Sequence, residues 1–266
     1  MENITGNLSA YGATLRYEDL PSEAIHKTKG LLIDTLSCGI GGFSSEPARI
    51  ARRVAGTIYQ CEMPATILGT SQTSSPELAT FANGVMIRYL DFNDSFVSKG
   101  GGHPSDNFAP VLTCADAIHA GGKGVIVAAV LAYEVFGRLF DQFNLTPKGF
   151  DQAVTGVISG TMGASKILRL SEKQMAQAIN LAVVANLSLG QTRLGELSMW
   201  KGCAMANAGR NAVFAALLAR EGLTGPEPIF EGRSGFFKVV TGPFQLEKFG
   251  GNGIQHCVIR HKLARC

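Results

Sequence analysis

The sequence predicts a mainly α-helical protein: a large helical domain over residues 1–223, followed by the beginning of a small α+β domain over 224–266. Three observations carry this prediction. Apolar residues recur at three- and four-residue spacing through most of the first 222 positions. Ser, Pro and Gly stand where those patterned segments begin and end. Past Gly222 the texture changes to short mixed runs broken by turn residues, such as "FFKVV" and "HCVIRHK".

The elements follow in order. "LPSEAIHKTKGLLIDTLSCGIGG" starts a helix at Pro21-Ser22-Glu23, repeats Ile25, Leu32, Leu36 and Ile40 on one side, and stops at Gly41-Gly42. A second helix runs from about Ser45 with Ile50, Val54 and Ile58 on one face, and "ATILG" reads as a short extended connection. "SSPELATFANGVMIRYL" has Ser75 as cap, Pro76 in the first turn, and a stripe of Leu78, Phe81, Ala82, Val85, Met86 and Tyr89. "NFAPVLTCADAIHA" is helical up to Gly121-Gly122. "GVIVAAVLAYEVFGRLF" is apolar nearly all round, which predicts a central, buried helix. "FDQAVTGVISGTMGASKIL" is helical despite its glycines, whose purpose is then close packing. Ser171 and Gln174 make a capping box for the next helix, and "MWKGCAMANAGRNAVFAALLAREG" ends at Gly222.

Composition excludes several function classes. The net charge of +3 comes from 24 basic and 21 acidic residues scattered along the chain, without the basic stripe that nucleic-acid binding requires. The apolar run Val125–Tyr133 is far too short to span a membrane, and no basic-then-apolar leader opens the sequence. The expectation is a cytoplasmic protein with no membrane or nucleic-acid partner. Six cysteines stand far apart without a CxxC pair, which argues against a disulfide framework or an iron–sulfur cluster.

Polar chemistry concentrates in two islands. The first is "LDFNDSFVSKGGGHPSDN", residues 90 to 107, set between two helices. The glycines at 100–102 permit a tight backbone that turns His103 toward Asp91, and a histidine beside a carboxylate is an acid/base candidate near neutral pH. The plainer alternative makes Ser105 or Asp106 a helix cap, Asp94 a turn cap and His103 a loop histidine. His26 and His119 lie on patterned helices, and His256 and His261 lie in the tail. The second island is "QTRLGELSMWKGCA", residues 191 to 204, where Arg193 and Lys201 flank Trp200. A solvated basic pair is the ordinary outcome there. Lys201, however, enters an Ala-rich helix, and a cation at a helix N-terminus suits an anionic ligand such as a carboxylate.

The segments "LDFNDSF…GGHPSDN" and "LGELSMWKGCAMANAGRNAVFAALLAREGLTGPEPIFEGRSGFF" resemble the MmgE/PrpD family, and most of all its 2-methylcitrate dehydratases. The resemblance extends over nearly the whole chain. It implies a helical domain with an α+β lid, homodimers, and a hydro-lyase that dehydrates 2-methylcitrate without metal or other cofactor. By motif, the family's catalytic aspartate falls on Asp91, its hydroxyl residue on Ser95 (where threonine is usual), its histidine on His103 and its lysine on Lys201. Arg88 and Arg193 are further candidates for binding a small tricarboxylate. Two alternatives accompany this reading: decarboxylation of cis-aconitate, and a non-catalytic shortened member that pairs with a full-length subunit. Because family members continue well past residue 266, with a further active-site histidine there, the chain alone is expected to self-associate and to be weakly active.

Overall fold

A computed structural model of the protein describes residues 3–58, 61–246 and 249. Nine α-helices occur among them: α1 (Ile4–Thr14), α2 (Ser22–Gly42), α3 (Glu46–Ala55), α4 (Pro76–Arg88), α5 (Phe108–Ala117), α6 (Gly122–Gln142), α7 (Ala153–Ile167), α8 (Glu172–Ala185) and α9 (Ala204–Arg220). Two antiparallel pairs of two-residue strands interrupt them: β1 (Ala65–Thr66) with β2 (Thr73–Ser74), and β3 (Phe96–Val97) with β4 (Gly101–Gly102). The architecture is mainly α, as the periodicity predicts.

Helix α6 is the buried centre, and α7 packs beside it and against α8 and α9. The glycines of α7 serve close packing. A Cβ on Gly163 would lie 2.8 Å from the Val111 side chain, and one on Gly156 2.5 Å from Met205. The capping box before α8 forms: the Ser171 hydroxyl accepts from the Gln174 N–H, and the Gln174 amide oxygen accepts from the Ser171 N–H. Ser75 occupies the cap position of α4, but its hydroxyl donates to Glu77 instead of closing a cap bond.

Three expectations are corrected. Helix α2 buries Ala24, Thr28, Leu31, Thr35 and Cys38, so its face is rotated away from the predicted stripe and Ile40 is 78% exposed. Helix α3 buries Pro47, Ala48, Ala51 and Ala55, leaving Ile50 and Val54 on the outside. "FFKVV" is wound into a π-helical turn, Phe237–Thr241, and its Phe236 and Val240 join the core cluster that contains α6. "HCVIRHK", with His256 and His261, lies outside the described residues. Helix α1 is one that the periodicity does not predict. Its segment carries Gly and Ser in place of a strong stripe, yet Ile4 and Leu8 are fully buried.

Candidate active site

The chain leaves α4 at Arg88, and three residues later Asp91 takes a left-handed backbone conformation, φ 60°. An aspartate tolerates that region better than most residues. The turn folds the carboxylate back onto Arg88, whose guanidinium pairs with it. Arg88 is only 3% exposed and donates also to Asn93 Oδ1 at 3.1 Å. Behind it stands Asp106, equally buried, with Oδ2 3.5 Å from Arg88 Nε. Asn93 ties the group together by donating to Asp106 Oδ1 (2.8 Å) and the Ser105 hydroxyl (3.0 Å). Asp94 accepts from the Ser105 N–H and the Tyr133 hydroxyl. Neither Ser105 nor Asp106 is a helix cap. Asp94 does hold the turn at 104–107, and the whole cluster is a buried truss under the loop.

His103 sits on this truss. Its Nδ1 lies 2.6 Å from the Asp94 carbonyl, which fixes the tautomer: Nδ1 carries the proton and donates, leaving the Nε2 lone pair free. Nε2 lies 3.8 Å from Asp91 Oδ1. The ring is therefore oriented by a backbone carbonyl, and Asp91 stands beside Nε2 instead of holding the ring. Burial, reinforced by the Arg88 charge, lowers the His103 pKa, against the opposing pull of the Asp94 carbonyl and Asp91. A neutral imidazole at neutral pH follows. Partial burial pushes Asp91 up, but the Arg88 charge and hydrogen bonds from Lys201 and Arg88 bring it down to about 2. Asp91 is thus a fixed anion.

The glycine run works through contact, since none of Gly100–Gly102 has positive φ. The strand pairing sets Phe96 opposite Gly102 and Val97 opposite Gly101. A Cβ on Gly102 would sit 1.7 Å from the Gln152 amide oxygen, and one on Gly100 2.3 Å from Phe140. The loop has to be bare so that helices α6 and α7 can press against it.

Lys201 comes from a 3₁₀ turn, Met199–Gly202, just before α9, and its Nζ donates to Asp91 Oδ2 at 3.1 Å. Asp91 thereby joins the two islands through a partner 110 residues away in sequence. Arg193 is held by the buried Asp151, its Nε 2.6 Å from Oδ2. A cavity of about 620 Å³ opens over these groups, with Arg88, Asp91, His103, Gln152, Arg193 and Lys201 in its wall. Three invariably or ordinarily cationic side chains face two carboxylates there, Asp91 and Asp151, which suits an anion of modest size. Five of the six residues selected from sequence meet in this cavity. Ser95 does not: it is half-buried and outside the cavity wall. Asp151 and Gln152 also line the cavity, and their only local signal in the sequence is a polar pair just ahead of an apolar helix.

Asp106 gives a stability prediction. Burial, partly offset by Arg88, raises its carboxyl to about 7. Because that lies above the ordinary aspartate value of about 3.9, its contribution to stability is full at low pH and is lost as pH rises toward 7. Asp106→Asn keeps the shape and removes the titration. The urea midpoint should fall between pH 5 and pH 8 in the parent chain and fall less in the variant. Equal slopes in both would show that Asp106 does not titrate in this range.

The helical chain thus sets a histidine, a carboxylate held as an anion and a lysine around one cavity. The MmgE/PrpD N-terminal domain matches residues 6–248, and the chain belongs to that family. It is 30% identical to the 2-methylcitrate dehydratase of Cupriavidus necator over 92% of this chain and 53% of that protein. It is 32% identical to the mitochondrial 2-methylcitrate dehydratase of Yarrowia lipolytica (90% and 49%) and 29% identical to the human cis-aconitate decarboxylase (89% and 50%). The chain spans about half the length of the curated relatives it matches.

Proposed function

We propose that the protein is a hydro-lyase that dehydrates 2-methylcitrate or a closely related tricarboxylate. The observation that carries this reading is the arrangement of His103, with its Nε2 lone pair beside Asp91 and Lys201 in one cavity. Similarity to dehydratases over nine-tenths of the chain supports it.

Elimination of water needs a base for the proton on the carbon next to a carboxylate, a proton for the departing hydroxyl, and positive charge opposite the carboxylate. His103 Nε2 takes the proton as the C–O bond breaks, and the same proton completes the water that leaves. The transient imidazolium is stabilised by Asp91, which remains ionised throughout. Lys201 and Arg193 serve the substrate carboxylates, while Arg88 holds Asp91 in place. Ser95 lies outside the cavity wall and is assigned no step in this scheme. The cis-aconitate decarboxylase relative keeps the second reading in view, in which a proton is delivered to the carbon that loses CO₂.

The lid assignment of residues 224–266 and a cytoplasmic location are part of the same proposal, as is homodimer formation. Pairing of two copies is supported by the exposed apolar side chains Ile33 and Ile40 on α2 and Ile50 and Val54 on α3. Purified chain incubated with 2-methylcitrate, citrate and cis-aconitate, with products followed by NMR, tests the reaction. Loss of water from 2-methylcitrate that persists in EDTA is the expected result. Itaconate formed from cis-aconitate would favour the second reading, and loss of activity in EDTA with recovery on adding metal would refute cofactor independence.

A further inference from the structure

Gln152 lies in the wall of the cavity at the mouth of α7, and its amide oxygen accepts the His103 backbone N–H at 3.2 Å. Only the oxygen of a carboxamide can accept from an N–H. The orientation of the amide is therefore set, and its nitrogen end is the one left over. Among the described residues no protein acceptor takes a hydrogen bond from Gln152 Nε2. The loop opposite is shaped around this side chain, because any Cβ at residue 102 would collide with its amide oxygen. Its neighbour Asp151 is tied down independently: its carboxylate accepts from the Ala153 N–H at 2.9 Å and from Arg193, and its own N–H donates to the Ser188 carbonyl. Gln152 is thus mounted on a rigid corner.

We infer that Gln152 is a substrate-binding residue with two assigned ends: the oxygen positions His103, and the Nε2–H₂ group donates to an oxygen of the bound carboxylate. The inference rests on the proposed function for the identity of the ligand. A neutral donor is useful at this place. The cations of the wall are already paired with Asp91 and Asp151, whereas an amide adds a hydrogen bond to an anion without drawing in another carboxylate. It also couples ligand position to His103, since both hang on one side chain.

Two measurements on the full chain test this, with citrate as the probe. Gln152→Met keeps the length and removes both polar ends. Gly102→Ala keeps the amide and displaces it. Each should weaken citrate binding in calorimetry by about ten-fold, the size of one lost hydrogen bond to a charged group. In ligand-free NMR titrations, each should also move the His103 midpoint up toward the ordinary histidine value, because a His103 backbone released from the amide lets water reach the buried ring. Citrate affinity within two-fold of the parent in Gln152→Met would overturn the binding assignment, even if the His103 midpoint moved. An unchanged His103 midpoint in folded Gln152→Met would overturn the positioning assignment. Should the parent chain bind no citrate, the tricarboxylate reading falls, and the His103 titration still decides whether Gln152 positions the ring.

Discussion

Replacing His103 with alanine should lower kcat for dehydration by a factor on the order of 10² to 10⁴, the usual share of a positioned acid/base group, while the chain stays folded. The ring is 21% exposed and lines a cavity, so its removal opens space that water can fill instead of a sealed void. What it takes away is the one lone pair that the tautomer leaves facing the substrate space. The pH profile carries the same signature. His103 titrates below its ordinary value and Asp91 near 2, so kcat/KM should fall on the acid side with the histidine midpoint and not with the carboxylate. Lys201→Ala should act differently, costing roughly 1.5–3 kcal/mol in substrate affinity for a lost charged hydrogen bond. Steady-state kinetics on both variants, with circular dichroism as the fold control, separate the two. Turnover of the parent size in His103→Ala would remove the histidine from the mechanism.

The parts of this site that could be read from sequence were those in which residue type and local surroundings agree. Asp91 and His103 stood in one polar island with bare glycines between them, and Lys201 stood at the entry of an apolar helix. Their meeting at Asp91 is tertiary, but their chemistry announced it. Gln152 and Asp151 had no such context. They matter because α7 begins there, under the 100–102 loop, which no local pattern states. Helix existence was equally legible, and helix orientation less so. In α2 the buried face is built on Thr28 and Thr35, whose hydroxyls satisfy themselves on the carbonyls of Ala24 and Leu31 at 2.7 Å. A threonine that bonds back to its own helix presents a methyl group to the core, so a count of apolar residues misses it. The isoleucines at 33 and 40 point the other way, onto a surface the sequence alone gives no reason to leave open.

The largest stability effect should come from Arg88. Its guanidinium is the only cation in contact with the buried Asp106 among the described residues, and it also braces Asp91 and Asn93. Arg88→Met fills most of the space but strands a carboxylate inside the truss, and breaking a buried pair on one side costs about 3–5 kcal/mol. That loss should depend on pH. Asp106, already raised by burial, rises further without Arg88, and a raised carboxyl contributes stability that disappears as pH climbs through its midpoint. The variant should therefore be closer to the parent at pH 5 than at pH 8. Adding Asp106→Asn removes the stranded charge, so the double variant should be more stable at pH 8 than Arg88→Met alone. This non-additivity is the mark of a direct pair. Urea denaturation of the four chains at both pH values measures it. Strictly additive losses, equal at pH 5 and pH 8, would mean that Arg88 and Asp106 do not depend on one another.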